Sequence, residues 1–144
     1  METPPLPEGM HEFRNADLHL IVDEQARLLY SEWVRRPSSA EYRESAGIFA
    51  ECLRDRGIAY WIQDTSRLGE VPEEDLKAVL QELVPVAAAS SLRKLARIAS
   101  DEKSMARFLK LVNQAKAKLS TEIEIQQFRT YREATQWIWS FLRC

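Results

Sequence analysis

Two short polar runs hold the side-chain types on which chemistry or recognition can be built. The first is Asp64-Thr65-Ser66-Arg67, at the end of an apolar stretch, and the second is Ser100-Asp101 followed by Lys103. If the strands that precede them are neighbours, both runs rim one edge of a sheet. Carboxylates, hydroxyls and cations gathered there make a small polar pocket or a docking rim, with Arg67 and Lys103 accepting an anion. The same residue types also serve as turn and cap groups, because Asp and Ser side chains satisfy loop amides. Convergence of Asp64 and Asp101 on an ion is a third possibility, a metal-dependent activity that their separation would decide.

Other chemistry finds little support. Ser66 lacks an evident histidine partner, since the two histidines, His11 and His19, belong to the N-terminal region and to a strand hairpin. His19 is a ligand, a base, or a polar residue on the less buried face of its strand. With 4 glycines in 144 residues there is no Gly-rich phosphate loop. Cys52 and Cys144 are expected to be free thiols, no Cys/His cluster offers a zinc ligand set, and no cofactor is expected.

The elements that must position the two runs follow from periodicity and punctuation. Met1 to about Met10 is rich in proline (Pro4, Pro5, Pro7) and is expected to be a tail; the domain is taken as residues 13–144, with 1–12 outside it. Leu18–Val22 predicts a first strand and Arg27–Arg35 a second. The short polar link between them forces an antiparallel pair. Ser38-Ser39-Ala40-Glu41 has capping-box form, and Tyr42, Ala46, Phe49 and Leu53 give the helix that follows one apolar face, ended by Gly57.

Ala59–Asp64 predicts a third strand, buried on both faces because Trp61 and Ile62 are adjacent and large. Pro72 opens a helix whose first turn carries Glu73, Glu74 and Asp75. Its stripe runs Leu76, Val79, Leu80, Leu83, Val84, Ala87, and Pro85 predicts a kink or break. Leu92–Ala99 predicts the fourth strand, with Leu95, Arg97 and Ala99 alternating against Ala96 and Ile98. A helix from Ser104 to about Leu119 follows, with Arg107, Lys110, Lys116 and Lys118 on its outer side. Ile123 to Phe128 predicts the fifth strand. A second capping box, Thr130 to Glu133, starts a last helix through Trp137, Ile138 and Phe141. The expected fold is α/β: a mostly parallel five-stranded sheet with an antiparallel N-terminal hairpin edge and about four helices on both faces.

Apolar residues make up 45% and charged residues 29%, and the net charge is -2 with both signs interspersed. A chain without a basic field is not expected to bind nucleic acid. No apolar run is long enough to span a bilayer, and the acidic, proline-rich start is unlike a signal peptide, so a cytoplasmic location is expected.

Three stretches resemble small bacterial STAS-like domains, the fold of anti-sigma-factor antagonists, and proteins labelled STAS or CRAL-TRIO-like. They are Leu28-Leu29-Tyr30-Ser31-Glu32-Trp33, Trp61 through Gly69, and Phe128 through Ile138. The resemblance covers about residues 13 to 143. It implies a non-catalytic protein-interaction or regulatory module. The family places a phosphorylatable serine in an Asp-Ser-Ser-Gly-like turn after the central strand. Here Leu68-Gly69-Glu70-Val71-Pro72-Glu73-Glu74-Asp75 stands in that place, without Ser or Thr, so the switch does not carry over. The acidic run would instead hold a fixed negative charge. The expected partner is another protein or a second copy, with Trp139 on the last helix as the interface candidate. The alternative, which the CRAL-TRIO side of the resemblance implies, is a binding domain for a small apolar or amphipathic ligand. An apolar cavity beneath the helix that contains Pro85 would favour the ligand; a close-packed core under a flat, partly apolar surface would favour the partner.

Overall fold

The structure is a computed structural model, and it describes residues 8–117, 119 and 121–140. Residues 1–7 of the expected tail, Lys118, Phe141 and Cys144 lie outside the described residues. The elements follow in the order β1 (Met10–Arg14), β2 (Leu18–Asp23), β3 (Leu28–Trp33), α1 (Ser39–Asp55), β4 (Tyr60–Asp64), α2 (Glu73–Ala89), β5 (Lys94–Ile98), α3 (Glu102–Lys116), β6 (Glu124–Phe128) and α4 (Tyr131–Ile138). The sheet has six strands in sequential order, β1-β2-β3-β4-β5-β6. β1–β2 and β2–β3 pair antiparallel, and the remaining three pairs are parallel.

The strand missing from the expected five is β1, which occupies part of the stretch expected to be a tail. Met10-His11-Glu12-Phe13-Arg14 carries only two apolar residues and no alternation that marks a strand. Its order comes from pairing with β2, from Met10 opposite Asp23 to Arg14 opposite His19. His11 and His19 therefore sit on neighbouring strands. His11 Nε2 meets Glu24 at 2.7 Å, while His19 is buried between Glu12 (2.6 Å) and Glu32 (3.2 Å).

Local signals account for most element ends. The Ser38 hydroxyl accepts the Glu41 amide (3.1 Å) and the Glu41 carboxylate accepts the Ser38 amide (2.8 Å), the full capping box. The Ser38 amide bond is the main reason the Glu41 carboxyl is held down to about 2. At the far end Gly57 takes φ +63°, a left-handed conformation that costs a residue with a Cβ. On α4, Thr130 Oγ1 accepts the Glu133 amide at 3.2 Å. α2 runs through Pro85 as one helix from Glu73 to Ala89, so the expected break is absent. Among the described residues, no helix is long and apolar enough to cross a membrane.

Winding in sequential order places the helices. A right-handed crossover puts its helix on a fixed side, so three crossovers in the same direction put α1, α2 and α3 on one face. Their apolar stripes meet Leu29, Trp61 and Leu95 there, and Phe49 and Leu53 of α1 lie at the centre of this larger core. α4 covers the opposite face with Ala134 and Ile138, both 0% exposed, against Ile62, Ala96 and Ile98. Because the strand order never reverses, the sheet has no crevice of the switch-point kind in which open α/β sheets commonly hold ligands.

Candidate functional site

The carboxyl ends of β4 and β5 are adjacent, as the two polar runs require. Asp64 pairs with Ile98 in register, and Thr65 clamps the strand ends by donating both its amide (2.9 Å) and its hydroxyl (2.7 Å) to the Ile98 carbonyl. Thr65, Ser66, Ser100, Asp101 and Lys103 line one polar cavity of about 210 Å³, closed on its other sides by Gly69, Val71 and Arg107. The loop between β4 and α2 is held in place from two directions. Arg107 donates to the Val71 carbonyl at 3.1 Å, and Arg36 donates to the Glu70 carbonyl at 3.3 Å.

Two of the expected rim residues are placed elsewhere. Period-2 alternation along β4 sends Trp61 and Gln63 toward the helices and Ile62 and Asp64 toward the α4 face. The Asp64 carboxylate accepts the Ser66 amide (2.9 Å) and hydroxyl (2.6 Å), a turn-stabilising role. Arg67 is exposed and is not part of the cavity wall. Asp101 is the N-cap of α3 and accepts the Lys103 amide at 3.0 Å. Both acidic residues therefore do cap and turn work. No group of three or more His, Cys, Asp or Glu is placed to hold a metal among the described residues.

Trp139, the interface candidate, is half-buried, with its ring edge-on to Tyr60 at 5.3 Å. The helix ends at Ile138, and the tighter turn that follows swings Trp139 back over the sheet. Trp137 packs against Phe128 with ring centres 5.6 Å apart and the planes tilted by 44°, and the Lys94 ammonium lies 4.8 Å from its ring centre.

A second space lies behind the polar one. An apolar cavity of about 70 Å³ runs under α2, walled by Leu76, Val79, Leu80, Leu83 and Val84, with Phe108 and Val112 of α3 opposite. It extends from Thr65 and Arg97 at the carboxyl end of the strands to Thr121 and Ile123 at the other. Tyr42, Thr65, Leu76 and Arg97 line both cavities, so the polar mouth and the apolar slot meet at these four residues.

Arg97 is the residue that dominates this junction. It is 4% exposed, in the fourth of the five positions of β5 (Lys94–Ile98), on the helix side of the sheet. Its guanidinium donates to Gln127 Oε1 at 2.8 Å and lies 4.3 Å from the Phe108 ring centre. Gln127 is in turn fixed by its own bond to the Met105 carbonyl, 2.8 Å. Among the described residues no carboxylate pairs with Arg97, whereas the buried Asp17 and Asp75 each have an arginine, Arg35 at 2.6 Å and Arg43 at 2.7 Å. Burial pulls the Arg97 pKa down to about 10. Tyr42, beside it, is pushed up to about 12, mainly by burial. Trp33, which also lines the slot, has an indole N–H that is buried without a hydrogen-bond partner.

Arg97, Tyr42 and Trp33 escaped the sequence reading as site residues. Arg97 was visible only as one position in an alternating strand. The available signal was a cation deep in a strand, flanked by Leu95, Ala96, Ile98 and Ala99 on both faces, a position from which a long polar side chain cannot reach solvent. No family model, no curated protein and no solved structure matches the chain.

Proposed function

We propose that this chain is a non-catalytic binding module of STAS-like or CRAL-TRIO-like type that takes up a small amphipathic molecule between its helix layer and its sheet. The observation that carries this reading is the meeting of an apolar slot of about 70 Å³ with a polar mouth of about 210 Å³ at Arg97 and Tyr42. Ligand pockets have this make-up, mostly apolar walls with a few placed polar groups. The slot lies beneath the helix that contains Pro85, the location that separates a ligand from a protein partner as the expected occupant. Thr65, Ser66, Ser100, Asp101 and Lys103 then act as the polar mouth of the cavity. Residence of a ligand there would set the position of α3 and of the β4–α2 loop, and through them the surface the module presents.

The test is native mass spectrometry of the protein purified from its own host, before and after denaturation, paired with thermal shift against short-chain amphipaths. Ala87 lines the slot and is half-buried, so Ala87→Leu fills it from the wall. A bound species released on denaturation, and amphipath shifts lost in Ala87→Leu, are the expected result. Shifts unchanged in Ala87→Leu, or no bound species and no shift at all, would overturn the reading.

A further inference from the structure

The slot and mouth do more than mark a ligand site, because their charges and shape select among amphipaths. Resting on the reading of this cavity as a binding site, we infer that its ligand is a straight-chain monocarboxylate, its carboxylate on Arg97 and its chain in the slot under α2.

Three features choose the head group. Arg97 is a nine-tenths buried cation with one hydrogen bond, to Gln127, and no carboxylate among the described residues. A guanidinium presents five N–H donors in a planar fork that matches a carboxylate. A buried charge of this kind is stable only when paired, and the space in front of it is the cavity itself. Two further groups that line the slot, Trp33 and Tyr42, are also donors. Trp33 has an unpartnered buried N–H, and no hydrogen bond to the Tyr42 hydroxyl is formed among the described residues. With its pKa at about 12, the Tyr42 phenol keeps its proton and donates. An acceptor-rich anion satisfies this set, and a neutral or cationic head does not.

The charge count favours a single negative charge. Arg97, Lys103 and Arg107 line the mouth against Glu70 and Asp101, leaving one positive charge in excess. A dianionic head would leave a charge unmatched beside two carboxylates. A phosphate ester and a carboxylate share the anionic chemistry, and the balance selects the carboxylate.

Shape chooses the tail. Arg97 is level with Gln127, and Ile123 lies four residues down from Gln127 at the far end of the slot. At a rise of about 3.3 Å per residue this is roughly 13 Å. The space along that length is small and walled mainly by apolar side chains, which favours a single extended chain over a ring system.

The experiment is an ¹⁵N-resolved titration of the full chain with hexanoate, hexanamide and hexyl phosphate. Hexanoate is expected to give saturable shifts at Thr65, Ala99 and the first turn of α3. Hexanamide should bind roughly 10-fold or more weaker, since a charge-assisted pair is about twice as strong as a neutral one. Arg97→Met should abolish the preference for the acid, and Arg97→Lys should keep part of it. Equal binding of hexanoate and hexanamide would overturn the anion site and leave the amphipath reading standing. Tighter binding of hexyl phosphate than of hexanoate would overturn the carboxylate head. Absence of saturable shifts with any of the three would overturn both the inference and the reading on which it rests.

Discussion

Removing the buried cation should make the ligand-free protein more stable. In Arg97→Met the long unbranched chain and its contact with Phe108 are kept, and the charge is lost. The fold holds Arg97 at a pKa of about 10, below the ordinary arginine range, and a unit of pKa is worth about 1.4 kcal/mol. Carrying this charge into the core therefore costs roughly 3 kcal/mol. The sign follows from a base whose folded pKa is depressed: the cost is present in full at neutral pH and relaxes only as pH rises above about 10.

Against that relief stand the bond to Gln127, whose Oε1 loses its donor, and the cation–π contact, each about 1 kcal/mol. Gln127 is only half-buried, so water can replace part of the first, and a Met–aromatic contact replaces part of the second. The net expectation is a stabilisation of about 1 kcal/mol, or roughly 3 °C in Tm for a chain of this size. Urea unfolding followed by tryptophan fluorescence at pH 7 measures it, with the slope m checked for constancy. A loss of 2 kcal/mol or more in Arg97→Met would show that Arg97 is a structural anchor, and the argument that it is kept for a ligand would fall.

Further expectations concern the scaffold. The Asp75 carboxyl, buried between Ser39 and Arg43, ties the start of α2 to the start of α1, and the hydrogen bonds from these two side chains hold its pKa below the usual carboxylate range. Its stabilisation is present above the unfolded aspartate pKa and is lost as pH falls through the lowered value, so Asp75→Asn should flatten the acid limb of a stability–pH curve measured below about pH 4. Ser38→Ala removes the α1 cap and should cost about 1 kcal/mol in chemical denaturation; a change under about 0.3 kcal/mol would contradict the capping role. Ile138→Ala opens a cavity at the centre of the α4 core, where the side chain is 0% exposed. It should cost about 2–4 kcal/mol, with hydrogen exchange accelerating first in α4.

Much of the layout was legible in the chain because its signals are local. Ser38 and Glu41, Gly57, and the stripes of α1 and α2 act within a few residues of themselves, and they set helix starts, stops and inward faces. The alternation in Leu92–Ala99 already placed Arg97 on the same side as Leu95. The requirement that a short link joins antiparallel strands, and that crossovers join parallel ones, carried the sheet from β2 to β6. β1 was not legible, since Met10–Arg14 becomes a strand only through its hydrogen bonds to β2.

The site divides along the same line. Composition and turn chemistry picked out Thr65, Ser66, Ser100, Asp101 and Lys103, because loop ends at neighbouring strands converge whatever covers them. Which way Asp64 turns, how Trp139 folds back on Tyr60, and how far α2 and α3 stand off the sheet depend on packing between elements distant in sequence. That packing leaves the slot open and surrounds Arg97 with Phe108, Gln127 and Tyr42 in place of a carboxylate. A sequence states that a charge sits in a strand; only the tertiary structure decides whether that charge is given a partner, because the partner must come from another element across the core.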